Sequence, residues 1–259
     1  MYLLFDVRVS IMHKIISILF FIFIAVIILN IFKQTNDILV LWATNRYKEP
    51  TSIYLTIVEF RFFELLLSSI SVCYAFNIYM YLFHRELFID KNMKINFAIN
   101  FIIPLIPFIP LFFINQIVVL TTKNQLSIPL YVRTINTVYS LTVIFLYISY
   151  AIIKYAYRMN WRTIGKTIHY SIKYLEYIVI YIVIGYIVYA FLTIIIVNPV
   201  FMTITRVFGM GGIGIHGSLL IIPAVLLESL ILYIYFLLFI EPFINEVKLD
   251  VAMKKYIRV

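Results

Sequence analysis

The run Tyr177-Ile-Val-Ile-Tyr-Ile-Val-Ile-Gly-Tyr-Ile-Val-Tyr-Ala-Phe-Leu-Thr-Ile-Ile-Ile-Val197 holds 21 residues without a single charge. A helix of ~20 apolar residues crosses a hydrocarbon core ~30 Å thick. Five more apolar runs accompany it: Ile15–Phe32, Phe62–Phe83, Phe97–Leu120, Ile135–Ile153 and Leu219–Ile240. Lipid offers no partner to backbone N–H and C=O groups, so such runs must satisfy themselves as helices. A membrane barrel would alternate apolar and polar residues over ~10-residue segments, and these runs do not. The predicted fold is therefore all-α, a polytopic bundle of six transmembrane helices.

Composition agrees with that reading. The 259 residues are 64% apolar and only 13% charged, against about 25% charged in soluble domains. The first run is longer than a signal-peptide core of ~7–15 residues, and no small-x-small site follows Asn30. It reads as a retained helix. The single cysteine, Cys73, lies inside the second run, which excludes a disulfide framework. The four histidines, His13, His84, His169 and His216, sit at run ends or in a loop with no ligand spacing. Haem held by facing histidines is disfavoured, and neither a cofactor nor a metal is expected.

Charge then orients the bundle. On the side that would hold both termini lie Arg8, Lys14, Arg85, Lys91, Lys94, Lys154, Arg158, Arg162, Lys166, Lys173, Lys248, Lys254, Lys255 and Arg258. The other side has Lys33, Arg46, Lys48, Lys123, Arg133 and Arg206. The positive-inside rule places the first set, and both termini, in the cytoplasm of a cell-membrane protein. The net charge of +9 is thus read as anchoring to anionic lipid and not as a nucleic-acid surface.

Three local patterns stand out from the hydrocarbon. In the link 154–173, Arg158, Arg162, Lys166, His169 and Lys173 repeat at helical spacing, with Trp161 as an aromatic anchor. That spacing predicts an amphipathic cytoplasmic helix, lying in the headgroup plane or docking an acidic partner. Pro104, Pro107 and Pro110 fall at i, i+3 and i+6 in the third run, where each removes a backbone donor and breaks the helix. Asn115 and Gln116, just beyond, can satisfy the freed groups. Glu228 lies deep within the sixth run, where a charge costs at least ~2.5 kcal/mol, so it should face the interior, paired or protonated.

Glu59, Arg61 and Glu64 read as a structural ion-pair group at the outer end of the second run. The segment 198–217 gathers Arg206, Gly209, Gly211, Gly212, Gly214, His216 and Gly217 between two spans. No strand precedes these glycines and no Lys-Ser/Thr follows, so they are not a phosphate loop. They predict an external glycine-rich hairpin, re-entrant or tightly turned, because dense glycine permits positive φ and close backbone approach.

The plan resembles the permease subunits of type-2 ABC exporters. Those have six helices, both termini inside, and a re-entrant hairpin between helices five and six, the position held here by Asn198–Gly217. The resemblance implies an interfacial helix in Met1–Lys14, a coupling loop in His84–Lys94, a homodimer, and a separate cytoplasmic ATPase. It is architectural; a Glu-x-x-x-Gly element often found after helix two is absent, since no glycine follows His84-Arg85-Glu86. The pattern His216-Gly217…Pro223-Ala224 is also similar to an element of the sporulation stage II M family, without the glutamate usual between its halves. The expected function is that of a membrane-embedded permease subunit with no catalytic residues. The rival expectation is an accessory membrane subunit of an energy-transducing complex. The partners implied are membrane lipids and further subunits.

Overall fold

A computed structural model describes residues 11–32, 50–84, 87, 99–106, 109–110, 130–159, 164–200, 202–203 and 215–257. Among these residues every regular element is helical. We label the long ones α1 (Ile11–Phe32), α2 (Pro50–Phe83), α3 (Leu130–Ala156), α4 (Ile164–Lys173), α5 (Leu175–Val200) and α6 (residues 215–257). Four stretches are long and apolar enough to cross a membrane: Ile11–Phe32, Thr137–Ala156, Leu175–Val200 and Ile222–Met253. A shorter apolar stretch, Leu67–Phe83, forms the second half of α2. The protein is membrane-embedded and multi-pass.

Its apolar residues divide between an interior and an outward surface. The largest buried rings, Tyr79, Tyr155, Phe21, Phe76, Phe236 and Phe243, come from four helices, α1, α2, α3 and α6. Phe21 of α1 meets Tyr79 and Phe83 of α2 and Tyr233 and Phe236 of α6, joining three helices around one ring. Outside, α1 shows Leu19 and Phe23 and α5 shows Ile187, Phe191 and Ile194, all more than half exposed. Apolar area on this scale is the surface a lipid-facing helix presents.

Three segments are π-helical: Ile178–Ile184 and Thr193–Val197 in α5, and Phe236–Ile240 in α6. Widened turns of this kind mark irregular packing. Gly185 closes the first of them, and a Cβ there would lie 2.6 Å from the Phe239 ring of the third. The missing side chain is what lets that ring press on the α5 backbone. Tyr235 adds a hydrogen bond from its hydroxyl to the Ile182 carbonyl at 3.3 Å.

Helices outrun the apolar runs that announced them. Helix α2 begins at Pro50 and so takes in much of what hydropathy assigned to the Lys33–Arg61 connection. Proline suits a first turn, where its absent N–H would have no partner anyway. Helix α6 continues beyond Ile240 through Glu241–Ile257. There Phe243, Ile244 and Val247 are fully buried while Leu249 and Met253 are exposed, an apolar stripe at helical spacing.

Two expectations need correction. The cationic face does not run as one helix from Arg158 to Lys173, because α3 ends at Ala156 and α4 starts at Ile164. Arg158 has φ 51, in the left-handed region, and terminates α3. Met159 N–H donates to Lys154 O at 2.9 Å and Arg158 N–H to Tyr155 O at 3.1 Å, the paired bonds of a Schellman cap. Lys154, assigned to a loop by charge counting, instead lies inside α3 and is 0% exposed.

Candidate functional site

Glu228 lies two-thirds of the way along Ile215–Tyr235 and is buried at 6% exposure. Its neighbour Ser229 is fully buried and returns its hydroxyl to the Val225 carbonyl at 2.8 Å. From α5, Tyr186 and Tyr189 lie in the neighbourhood of Glu228. Those two rings and Tyr235 form a group with centroids 5.5 to 6.3 Å apart.

At one end of the bundle the polar groups are knotted together. Glu241, the first residue after the π-helical turn of α6, accepts at Oε2 from the Tyr79 hydroxyl at 2.9 Å. His84 Nε2 lies 2.8 Å from the same oxygen, and Lys248 Nζ lies 2.9 Å from His84 Nδ1. An ammonium only donates, so Nδ1 accepts and Nε2 carries the proton given to Glu241. The chain of bonds ties the end of α2 to two successive turns of α6.

Half a turn beyond Lys248, Asp250 makes a second knot. Its Oδ2 accepts from Tyr157 at 2.8 Å, from Lys173 at 2.7 Å and from Tyr174. The phenol oxygens of Tyr157 and Tyr174 are 2.8 Å apart. Burial first, and then the bonds to Asp250 and Tyr157, push the Tyr174 phenol above its ordinary pKa. It therefore stays a neutral donor throughout the physiological range. This knot gathers the end of α3, the end of α4 and the last turns of α6.

A third cluster is centred on Asn100. Its Oδ1 accepts from Lys154 Nζ at 2.9 Å, its Nδ2 donates to the Tyr155 hydroxyl, and its backbone carbonyl lies 2.9 Å from the Tyr147 hydroxyl. Tyr147 also lies 2.7 Å from Asn77 Oδ1. One hydroxyl proton thus faces two acceptors. All five residues are buried.

The structure separates the residues singled out by sequence. Glu228 is buried in the interior, while Lys166, His169 and Lys173 lie exposed along α4. Pro104 is buried in a 3₁₀ turn, Ile103–Leu105, and Leu105 and Ile106 bond three residues back, so the chain there is wound more tightly than an α-helix. Pro110 is exposed. His216 and Gly217 belong to the first turn of α6. Pro107, Asn115, Trp161, Arg162, Arg206, Gly209, Gly211, Gly212 and Gly214 lie outside the described residues. Among the described residues, no three of His, Cys, Asp or Glu form a group fit for a metal.

Sequence reasoning passed over Asn77, Asn100, Lys154, Glu241 and Asp250. The available signals were Asn77, the lone amide of the second apolar run, and Asn100, which shares the third run with Asn115 and Gln116. No protein-family model matches the chain, and no curated protein or solved structure matches it. Fold and composition define its class, a membrane-embedded helical protein with buried polar clusters.

Proposed function

We propose that this chain is the permease-type subunit of a multi-component exporter in the cell membrane, driven by a separate cytoplasmic ATPase. The observation that carries the reading is Glu228, a buried acid within a membrane-crossing helix, with Tyr186 and Tyr189 of α5 in its neighbourhood. An ionisable group at such depth is retained for a function more often than for stability.

The reading takes the chain to cross six times, with both termini cytoplasmic. In support, His84 at the end of α2 and Tyr157 at the end of α3 both meet the same stretch of α6, through Lys248 and Asp250. Helices α2 and α3 thus run the same way, which supports a return of the chain across the bilayer between them. The exposed cations of α4 offer the ATPase a docking face, lipids cover α1 and α5, and a second copy completes the path.

A second reading, an accessory subunit of an energy-transducing complex, is favoured by the Asp250 and Glu241 knots, which look built for rigidity. Purification from native membrane in mild detergent, with mass spectrometry of stoichiometric partners, distinguishes them. A soluble ATPase is the expected partner. Redox or other membrane subunits in its place would overturn the exporter reading and leave the accessory one.

A further inference from the structure

The Asn100 cluster holds more donors than acceptors. Lys154 is 0% exposed, and its ammonium meets one hydrogen-bond acceptor, Asn100 Oδ1, and the Tyr150 ring at 5.2 Å. No carboxylate of the described residues pairs with it. An ammonium has three N–H groups, so its donating capacity is largely unused. Asn77 is also 0% exposed, and its Nδ2 has no hydrogen-bond partner. Turning that amide over would exchange its two ends and still leave one without a partner.

A buried cation without a counter-charge and a buried amide without a partner are each costly in an apolar interior. Both belong to one hydrogen-bond network, Lys154 through Asn100 and Asn77 through Tyr147, so one occupant there would answer both. We propose that this cluster, enclosed by α2, α3 and the turn that carries Asn100, binds a small monoanion, a halide or a carboxylate, on the Lys154 ammonium. The anion supplies the missing charge and selects the Asn77 orientation that turns the N–H groups outward. A cation is repelled by Lys154, and a neutral ligand leaves its charge uncompensated.

Ser140 is a further unsatisfied polar group on α3. It precedes Tyr147 by seven residues and Lys154 by fourteen, spacing that keeps all three near one face of α3. It is 3% exposed, and its hydroxyl too has no partner. Three polar groups thus lie along one face of α3, with buried Val143, Ile144 and Ala151 between them. The proposal stands whether or not the protein is an exporter subunit.

The test is thermal unfolding of the full chain in nanodiscs, with chloride or acetate titrated against isethionate, a bulkier sulfonate, at constant ionic strength. Tm of the unaltered protein should rise with the logarithm of chloride or acetate concentration, as linkage requires for a ligand of the folded state. Lys154→Met should abolish the dependence, and Asn77→Leu should shift it to higher concentration. Equal Tm in all three anions, or an undiminished dependence in Lys154→Met, would overturn the proposal. If Lys154→Met does not fold, an Asn77→Leu response identical to the unaltered protein overturns it as well.

Discussion

Two polar clusters near the same end of the bundle solve opposite problems. At Asp250, one carboxylate oxygen serves two phenols and an ammonium. At Lys154, an ammonium finds a single amide oxygen, and a neighbouring amide end finds nothing. The first cluster is saturated and joins the ends of three helices to one another. The second has hydrogen-bonding capacity to spare and joins less. Clustering of polar groups thus carries two meanings in one molecule: saturation marks a clasp, and surplus marks a site.

Stability measurements can break that contrast. Asp250→Ala strips three donors of their acceptor at once and should cost about 3 kcal/mol, since two part-buried phenols each lose a charged acceptor while the exposed Lys173 adds little. Denaturant unfolding in mixed micelles reads this directly, and a loss below about 1 kcal/mol would mean that the clasp holds nothing. Gly185→Ala touches neither cluster. It should cost about 1–3 kcal/mol in the same assay, because the new Cβ collides with a ring that the α5–α6 contact holds in place.

Lys154→Met is the counterpart. Without added anion it should be neutral or stabilising by up to about 1 kcal/mol, as replacements of buried ions by apolar residues often are. A loss as large as that of Asp250→Ala would erase the distinction between the two clusters. Smaller still is Arg158→Gly, which relieves a left-handed arginine and should stabilise by about 0.5–1 kcal/mol. Glu228→Gln belongs to function: it should depress transport while leaving membrane assembly intact, as followed by size-exclusion profile and uptake into vesicles. Unchanged transport would remove Glu228 from the path.

The apolar runs could be read directly because lipid punishes any charged side chain along a span, so hydropathy records every crossing that is purely apolar. It records less where a helix leaves the bilayer. Phe243, Ile244 and Val247 keep α6 helical by packing alone, among acids and lysines that lower the local hydropathy. The end of α3 was unreadable for another reason. A Schellman cap is normally announced by glycine, and Arg158 occupies that position instead.

Glu228 was legible as the one acid deep within an apolar run. Lys154 was not, because it stands near the end of its run and counts there as a loop charge. The clusters themselves are long-range: Tyr147 meets Asn77 and His84 meets Glu241 across 70 and 157 residues of sequence. No local spacing encodes such pairs. They become visible only when the helices pack.

The crossing count is the claim on which the placement of every cluster depends. It is tested most directly by thiol labelling in sealed, oriented membranes, on a Cys73→Ser background. His13→Cys, His169→Cys and Met253→Cys place probes at exposed positions on α1, α4 and α6. Lys123→Cys probes the chain between α2 and α3. The account predicts that an impermeant reagent reaches the first three from the cytoplasmic face alone and position 123 from the opposite face alone. Labelling of position 123 from the cytoplasmic face would remove the return crossing and contradict the six-helix arrangement.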